Sequence, residues 1–421
     1  MSRTKVLNRL PLNRKMSNEF LLTTLGQVLY LLQNLVQNKI FSSFFETSIY
    51  GKWSLLVSAY ALVSMIPFSA IDQGIYKVAF GCRKEGNERN LYSLIACVYF
   101  LGFVLYSFIF IILENIQGDN YFAHGYGALF AFYAFTEILK NTFLLLDNAY
   151  RNRLKVFLIR LFGLVSRTVS FLILNSINLF DIRSVLWVMV VTNVVILFFE
   201  KKYFLNVDIK ANKAECKRIF FVIFRFSAPL MAWAIFGWMQ NMISRWYLDA
   251  ILDLESVAMY SILTTLSYFV PNAVYTVVNA FVMPIVFEKD KAFTRKKLLL
   301  FLLAVAGVLV LWLLFVIVAG KYIIIIFSHA KYLAVLKYLP FTTSSAIVYV
   351  LSMLSTVEIY RRGETSKLLL PTIIPGLFMA TIGYFLIKQM GFNGAIINYM
   401  LGHILYCVMT SFIVFNKKNI G

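Results

Sequence analysis

Charged residues make up only 14% of this 421-residue chain, against 60% hydrophobic and 17% aromatic, and the mean hydropathy is +0.75. A soluble protein of this size carries about a quarter charged residues, which form its wetted surface. The shortage excludes a water-exposed globular fold. Period-two alternation is also missing: the run LLLFLLAVAGVLVLWLLFVIV stays apolar from 298 to 318, which excludes the strands of a transmembrane barrel. Histidines (His124, His329, His403) are few and far apart, and the four cysteines (Cys82, Cys97, Cys216, Cys407) show no CxxC spacing. Neither a metal site nor a disulfide framework is expected, and no cofactor. The basic opening MSRTKVLNRLPLNRK is followed by no cleavage site, so it reads as a cytoplasmic tail before a retained first span.

What the chain does have is a series of apolar runs, each long enough to cross a hydrocarbon core of about 30 Å. They fall near 20–43, 50–71, 91–113, 122–146, 154–175, 184–200, 219–243, 256–286, 298–319, 333–357, 368–388 and 394–416. Lysine and arginine test this topology independently, because cytoplasmic loops retain positive charge. With the N-terminus inside, 28 of the 40 fall in inner segments, seven at outer ends and loops, and five within spans. The expectation is therefore an all-α, multi-pass membrane protein with both termini cytoplasmic. The formal charge of +20 is mainly this orientation signal and calls for no nucleic-acid partner. No outer loop exceeds roughly 15 residues, which leaves little room for a catalytic site outside, and no catalytic residues are expected.

The chain also repeats itself. Residues 33–55 (QNLVQNKIFSSFFETSIYGKWSL) align without a gap with 240–262 (QNMISRWYLDAILDLESVAMYSI) at an offset of 207. Gln33 matches Gln240, Asn34 matches Asn241, Glu46 matches Asp253, Trp53 faces Tyr260 and Ser54 matches Ser261. Both copies join two spans on the outer side. Six helices per copy is an even number, so the two halves run in the same direction, with the pseudo-twofold along the membrane normal. Two six-helix lobes, 1–205 and 206–421, follow, with a substrate site expected between them. Asp249, Asp253 and Glu255 read as the polar outer turn of the second copy.

Ionisable groups within spans mark functional candidates, because burying them in lipid is unfavourable. Arg153, Arg160 and Arg167 recur every seven residues, which puts them on one helix face about 10 Å apart. The first two can snorkel to the boundary; Arg167 lies too deep. Lys39, Lys140 and Arg225 are further embedded cations, and Arg245 sits at the outer mouth. Glu137 is the one clear embedded acid, three residues before Lys140 and able to pair with it; Asp72 reads as interfacial. A cationic stripe facing a water-filled cavity is the preferred reading over purely structural partners, and such a cavity favours an anion. Pro229, Pro271, Pro371 and Pro375 fall inside spans and are candidate kinks.

Several stretches carry a resemblance. The segment Arg225-Phe-Ser-Ala-Pro229-Leu, then QNMISRWYLDAILDLESVAMYS, together with GKWSLLVS and AIDQGIYK in the first half, resemble the Wzx-type O-antigen and polysaccharide flippases. These belong to the multidrug/oligosaccharidyl-lipid/polysaccharide (MOP) exporter superfamily. Members commonly have Asp-Arg where this chain has Ser244-Arg245. The resemblance implies movement of an undecaprenyl-diphosphate-linked oligosaccharide across the bacterial inner membrane by alternating access. It also implies a polysaccharide polymerase and a chain-length regulator as partners. On that reading Arg160 and Arg167 attract the diphosphate, and Arg245, Arg225, Lys39 and Lys140 are further substrate-binding cations of the cavity. Gln33, Asn34, Gln240 and Asn241 meet sugar hydroxyls, and Glu137 and Asp72 are acidic partners. The alternatives are a membrane polymerase or lipid-linked glycosyltransferase, and an exporter of the same fold carrying drugs or a peptidoglycan precursor.

Overall fold

The computed structural model describes residues 14–117, 126–208, 210–288, 295–357, 359 and 365–415. The basic stretches at 1–13 and 289–294, and most of 358–367, lie outside the described residues. The helices are α1 (Arg14–Phe44), α2 (Thr47–Val63), α3 (Ala70–Lys84), α4 (Glu88–Gln117), α5 (Tyr126–Ala149), α6 (Arg153–Ser176) and α7 (Ile182–Phe199), then the short α8 (Lys201–Leu205). There follow α9 (Lys213–Ile251), α10 (Leu254–Glu288), α11 (Arg295–Phe327), α12 (Leu339–Ser355), α13 (Leu369–Met390) and α14 (Phe392–Phe415). The all-α expectation holds: no strand occurs among the described residues. Eleven of the described helices are long and apolar enough to cross a membrane. The first expected span falls on α1, a single 31-residue helix that is more polar than those eleven.

The two longest helical runs far exceed the hydrocarbon core. Thr47–Lys84 is continuous over 38 residues and Lys213–Ile251 over 39, close to 57 Å each at about 1.5 Å per residue. In the first, Ser64–Ser69 is a π-helical turn that contains Pro67. Proline lacks the N–H that an α-helix needs, and the wider turn absorbs the missing bond without breaking the helix. Pro229 and Pro271 likewise sit inside unbroken helix.

The chain forms two compact units. The first comprises residues 1–36 and 71–226, the second 37–70 and 227–421. Within the first unit α5 is the central helix, packed on α4, α6 and α7. Its core holds Phe130 edge-on to Phe110, with ring centroids 5.1 Å apart. Within the second unit α12 holds the corresponding place, packed on α10, α11 and α14. There Tyr349 stacks on His403 at 4.4 Å, and Ser345 Oγ lies 3.0 Å from His403 Nδ1. The faces turned outward are as oily as the interior. Leu303, Leu311 and Val318 on α11 are 67, 67 and 85% exposed, a distribution that suits lipid and not water.

The second unit also contains most of both copies of the repeated stretch, from residue 37 of the first and all of the second. Helix α2 lies against α10 so closely that a Cβ on Gly51 would come within 1.9 Å of the Leu254 carbonyl oxygen. Three residues further along α2, Ser54 Oγ meets Ser261 Oγ at 2.5 Å. These serines are repeat partners, 207 positions apart. The contact is one between α2 and α10 within the second unit.

Candidate functional site

The arginine face of α6 points inward in the first unit, while Leu154, Leu158, Leu161, Val165 and Leu172 occupy its exposed face. Each arginine meets a different set of partners. Arg153 donates to Asn148 Oδ1 at 2.6 Å, at the start of α6. Arg160 donates to the Gly26 carbonyl at 2.7 Å, reaches Gln27 Oε1 at 3.5 Å and lies 5.6 Å from the Tyr30 ring centroid; no carboxylate reaches it among the described residues. Arg167 is 3% exposed, and its Nη2 reaches Glu137 Oε2 and Asn193 Oδ1, both at 2.6 Å.

Glu137 is shared. Its other oxygen accepts from Lys140 Nζ at 2.5 Å, so both oxygens carry a cation. The three side chains are only 12, 9 and 4% exposed for Glu137, Lys140 and Arg167. Helical spacing puts Glu137 and Lys140 on one face of α5. Helix α7 supplies Asn193, whose Nδ2 donates to Thr136 Oγ1 at 3.3 Å. Two cations on one anion leave the cluster at +1, and acid-free Arg160 adds a further positive charge from the same face of α6. Gln33 lies alongside, with its Oε1 4.0 Å from where a Gly163 Cβ would stand, while Asn34 is exposed. The expected site residues Arg160, Arg167, Lys140, Glu137 and Gln33 therefore gather around α6.

Others lie elsewhere. Arg225 is exposed on α9. In the second unit, Lys39 Nζ donates to the carbonyls of Ile325 (2.7 Å) and Ser328, and Asn38 donates to Phe327 O at 2.9 Å. Lys331 Nζ in turn reaches Phe45 O. The ends of α1 and α11 thus cap each other with lysines, which satisfies carbonyls that have no helical N–H. Arg245 is 9% exposed; its Nε donates to Ser261 Oγ at 3.1 Å and its Nη1 lies against Met242 Sδ. Ser244, in place of the acid common in the resembled flippases, accepts from Asn398 Nδ2 at 3.2 Å. Gln240 is 1% exposed and neither atom of its amide has a partner among the described residues. Asn241 donates to Gly237 O on its own helix, at 2.8 Å.

Asp72 differs from the expectation. Its carboxylate turns inward within the first unit and accepts from Tyr99 Oη at 2.5 Å and Thr142 Oγ1 at 2.8 Å. It pairs with no cation among the described residues. Its place two residues into α3, well before the basic end of that helix, explains why it does not reach the interface.

A second charged cluster was not anticipated. Asp147 and Glu200 are both fully buried where α5 and α7 end. Asp147 accepts from Lys202 (2.7 Å), Asn152 (2.8 Å) and Tyr203 (2.9 Å), and its second oxygen lies 3.1 Å from Lys155, which also pairs with Glu200. Burial and the neighbouring Asp147 push Glu200 up to about 7. Two carboxyl groups and two lysines share these contacts, so the cluster ties the ends of α5, α6, α7 and α8 together. The only trace in the sequence is an acid at the inner end of two spans whose loops are otherwise basic.

No family model matches the chain, and no curated protein matches it. Solved structures do. An inward-facing multidrug-resistance MATE transporter of the MOP superfamily superimposes with a TM-score of 0.69 at 14% identity, over 92% of this chain and 95% of that one. The lipid II flippase MurJ, in an inward closed conformation, gives 0.69 at 13% identity over 94% and 87%. The Vibrio cholerae MATE transporter VcmN, as a mutant, gives 0.65 at 12% identity over 96% of each chain. At such identities the likeness is one of architecture: the chain has the fold of MOP-superfamily transporters.

Proposed function

We propose that the protein is a flippase that carries an undecaprenyl-diphosphate-linked oligosaccharide across the bacterial inner membrane. The observation that supports this reading is the sign of the embedded charge. Around α6, three cations face one carboxylate, and the most accessible of the three, Arg160, is held only by a carbonyl, an amide oxygen and a ring. Arg245 is a further buried cation bonded to a hydroxyl and a thioether. A diphosphate matches such a surplus; its polyprenyl tail stays in lipid while the sugar head crosses. Charge-assisted bonds to phosphate are about twice as strong as neutral ones, and the embedded guanidiniums offer them without first losing bulk hydration. The fold, shared with a lipid II flippase as well as with drug exporters, is compatible with such a cargo.

A deletion strain, complemented with wild type or Arg160→Ala, tests the reading. The expected result is loss of surface polysaccharide with the variant and accumulation of the lipid-linked unit in the cytoplasmic leaflet, at normal protein levels. Full complementation by Arg160→Ala would defeat it. Single units displayed outside would point instead to a polymerase.

One observation favours a second reading. Asp72, a carboxylate within a span bonded only by hydroxyls, is the kind of group an exporter of cationic drugs of this fold would use. Under that reading the deletion strain gains sensitivity to lipophilic cations and keeps its polysaccharide, and Asp72→Asn fails to restore resistance.

A further inference from the structure

Two cavities in the first unit adjoin at a pair of tyrosines, Tyr92 and Tyr203, whose ring centroids are 5.2 Å apart. One, of about 380 Å³, lies at the ends of α3, α4, α5 and α8, and its lining includes Arg83, Arg89, Lys202 and Glu88. Arg83 sits 3.6 Å from Glu88, and Lys202 is anchored on Asp147 behind the wall. Arg89 has no acid partner among the described residues. Three cations against one lining acid make this cavity cationic. The other, of about 660 Å³, is walled by Phe100, Phe135, Leu139, Phe143 and Phe204. Both volumes lie in the range of ligand cavities.

Their order along α4 is what gives the pair a meaning. The cationic cavity takes Glu88 and Arg89 from the start of the helix, the tyrosine divides the two, and the apolar cavity follows the same helix from Tyr92 to Phe100. That is about 12 Å of rise, directed away from the end that the lysine and arginine distribution assigns to the cytoplasm. Phe100 is 61% exposed, so the apolar cavity opens sideways. A ligand that fills both has an anionic head at the cytoplasmic boundary and a hydrocarbon tail along the helix. Val207 and Ala211 of the long polar connection form part of the wall. That connection is strapped to α4: Asp208 N donates to Ser93 Oγ at 2.8 Å and Asn212 N to Asn90 Oδ1 at 3.1 Å.

We infer that this pair of cavities binds an anionic glycerophospholipid of the cytoplasmic leaflet, with its phosphate at Arg83 and Arg89 and an acyl chain against Phe100, Phe135 and Phe143. The site is separate from the Glu137 cluster and does not depend on the cargo proposed above. An occupied site steadies the strapped connection against α4.

The test uses the full chain in nanodiscs. Phosphatidylglycerol or phosphatidylcholine carrying an acyl-chain diazirine is photolysed and the labelled peptides are mapped by mass spectrometry. Phosphatidylglycerol is expected to label the Tyr92–Phe100 and Phe135–Phe143 peptides several-fold more than phosphatidylcholine. Arg83→Ala with Arg89→Ala should lower that preference by about five-fold per arginine, the factor that corresponds to one basic residue near an anionic leaflet. If the double variant does not purify as a folded protein, Arg89→Gln serves alone, because this side chain has no acid to abandon. Equal labelling by the two lipids, or a preference unchanged in the variants, would overturn the inference. So would displacement by glycerol 3-phosphate, which would mark a site for a soluble anion. Displacement by undecaprenyl diphosphate at a small fraction of the phosphatidylglycerol content would also overturn it, by assigning the groove to a polyprenyl ligand.

Discussion

Replacing Glu137 by glutamine removes the anion that Arg167 and Lys140 share. Each ion pair, at an effective dielectric of about 20, is worth on the order of 4 kcal/mol before desolvation is counted. The two cations bind opposite oxygens of the same carboxylate, at 2.6 and 2.5 Å, so its loss also exposes each to the repulsion of the other. Removing one partner of a buried pair destabilises by about 3–5 kcal/mol, and Glu137→Gln belongs at the upper end. Arg167→Met leaves Glu137 paired with Lys140 and should do less harm; Lys140→Met leaves a neutral Arg167–Glu137 pair and should do least. The decisive variant combines Glu137→Leu, Lys140→Met and Arg167→Met. Apolar side chains of similar volume often replace a buried charged triad with little loss or a gain of about 1–4 kcal/mol. Thermal unfolding of the purified protein in nanodiscs should therefore show a drop of roughly 5 °C for Glu137→Gln and near-wild-type stability for the triple change. Complementation should fail for both. A stable triple variant that restores polysaccharide would show that these charges serve packing alone, and an unchanged melting temperature for Glu137→Gln would refute the energetic argument.

Three further outcomes follow from the packing. Gly51→Ala places a methyl group against the Leu254 carbonyl, where rigid backbone cannot give way, and should sharply reduce the yield of folded protein, read by fluorescence-detected size exclusion. A Ser54→Cys, Ser261→Cys pair should form a disulfide on mild oxidation, because the native hydroxyls are already 2.5 Å apart; trypsin cleavage in the 209–213 connection would then leave the halves linked on a non-reducing gel. Glu200, raised from its usual value to about 7 by burial and Asp147, contributes stability that is complete below the unfolded carboxyl pKa and is lost as pH rises through 7. Thermal stability should therefore fall between about pH 5 and pH 7.5, and Glu200→Gln should flatten that decline; a decline of equal slope in the variant would contradict the assignment.

The arginines of α6 show how far sequence reaches and where it stops. A seven-residue spacing fixes a shared helix face, and Arg153, Arg160 and Arg167 do share one. It does not fix what the face meets. The partners are an asparagine five residues away, a carbonyl on α1 and a carboxylate on α5, and the last two exist only once the helices have packed. The preference for a cationic face over a set of structural partners therefore divided the question too sharply. Arg167 makes interhelical bonds to Glu137 and Asn193, yet those bonds leave its neighbourhood positive. Lys39 carries the complementary lesson, because its partners are carbonyl groups, which every residue supplies and no sequence pattern singles out. The cluster of Asp147 and Glu200 escaped notice for a similar reason: the two acids are far apart in the chain and meet only when α5 and α7 end side by side. Ser54 and Ser261, by contrast, were matched in the sequence because a repeat makes a long-range statement in one dimension. An offset of 207 with matched polar residues is enough to name two positions, and the packing of α2 on α10 brings them together. The match named two positions without naming their contact, just as the charge balance around Glu137 depends on which helix each cation happens to face.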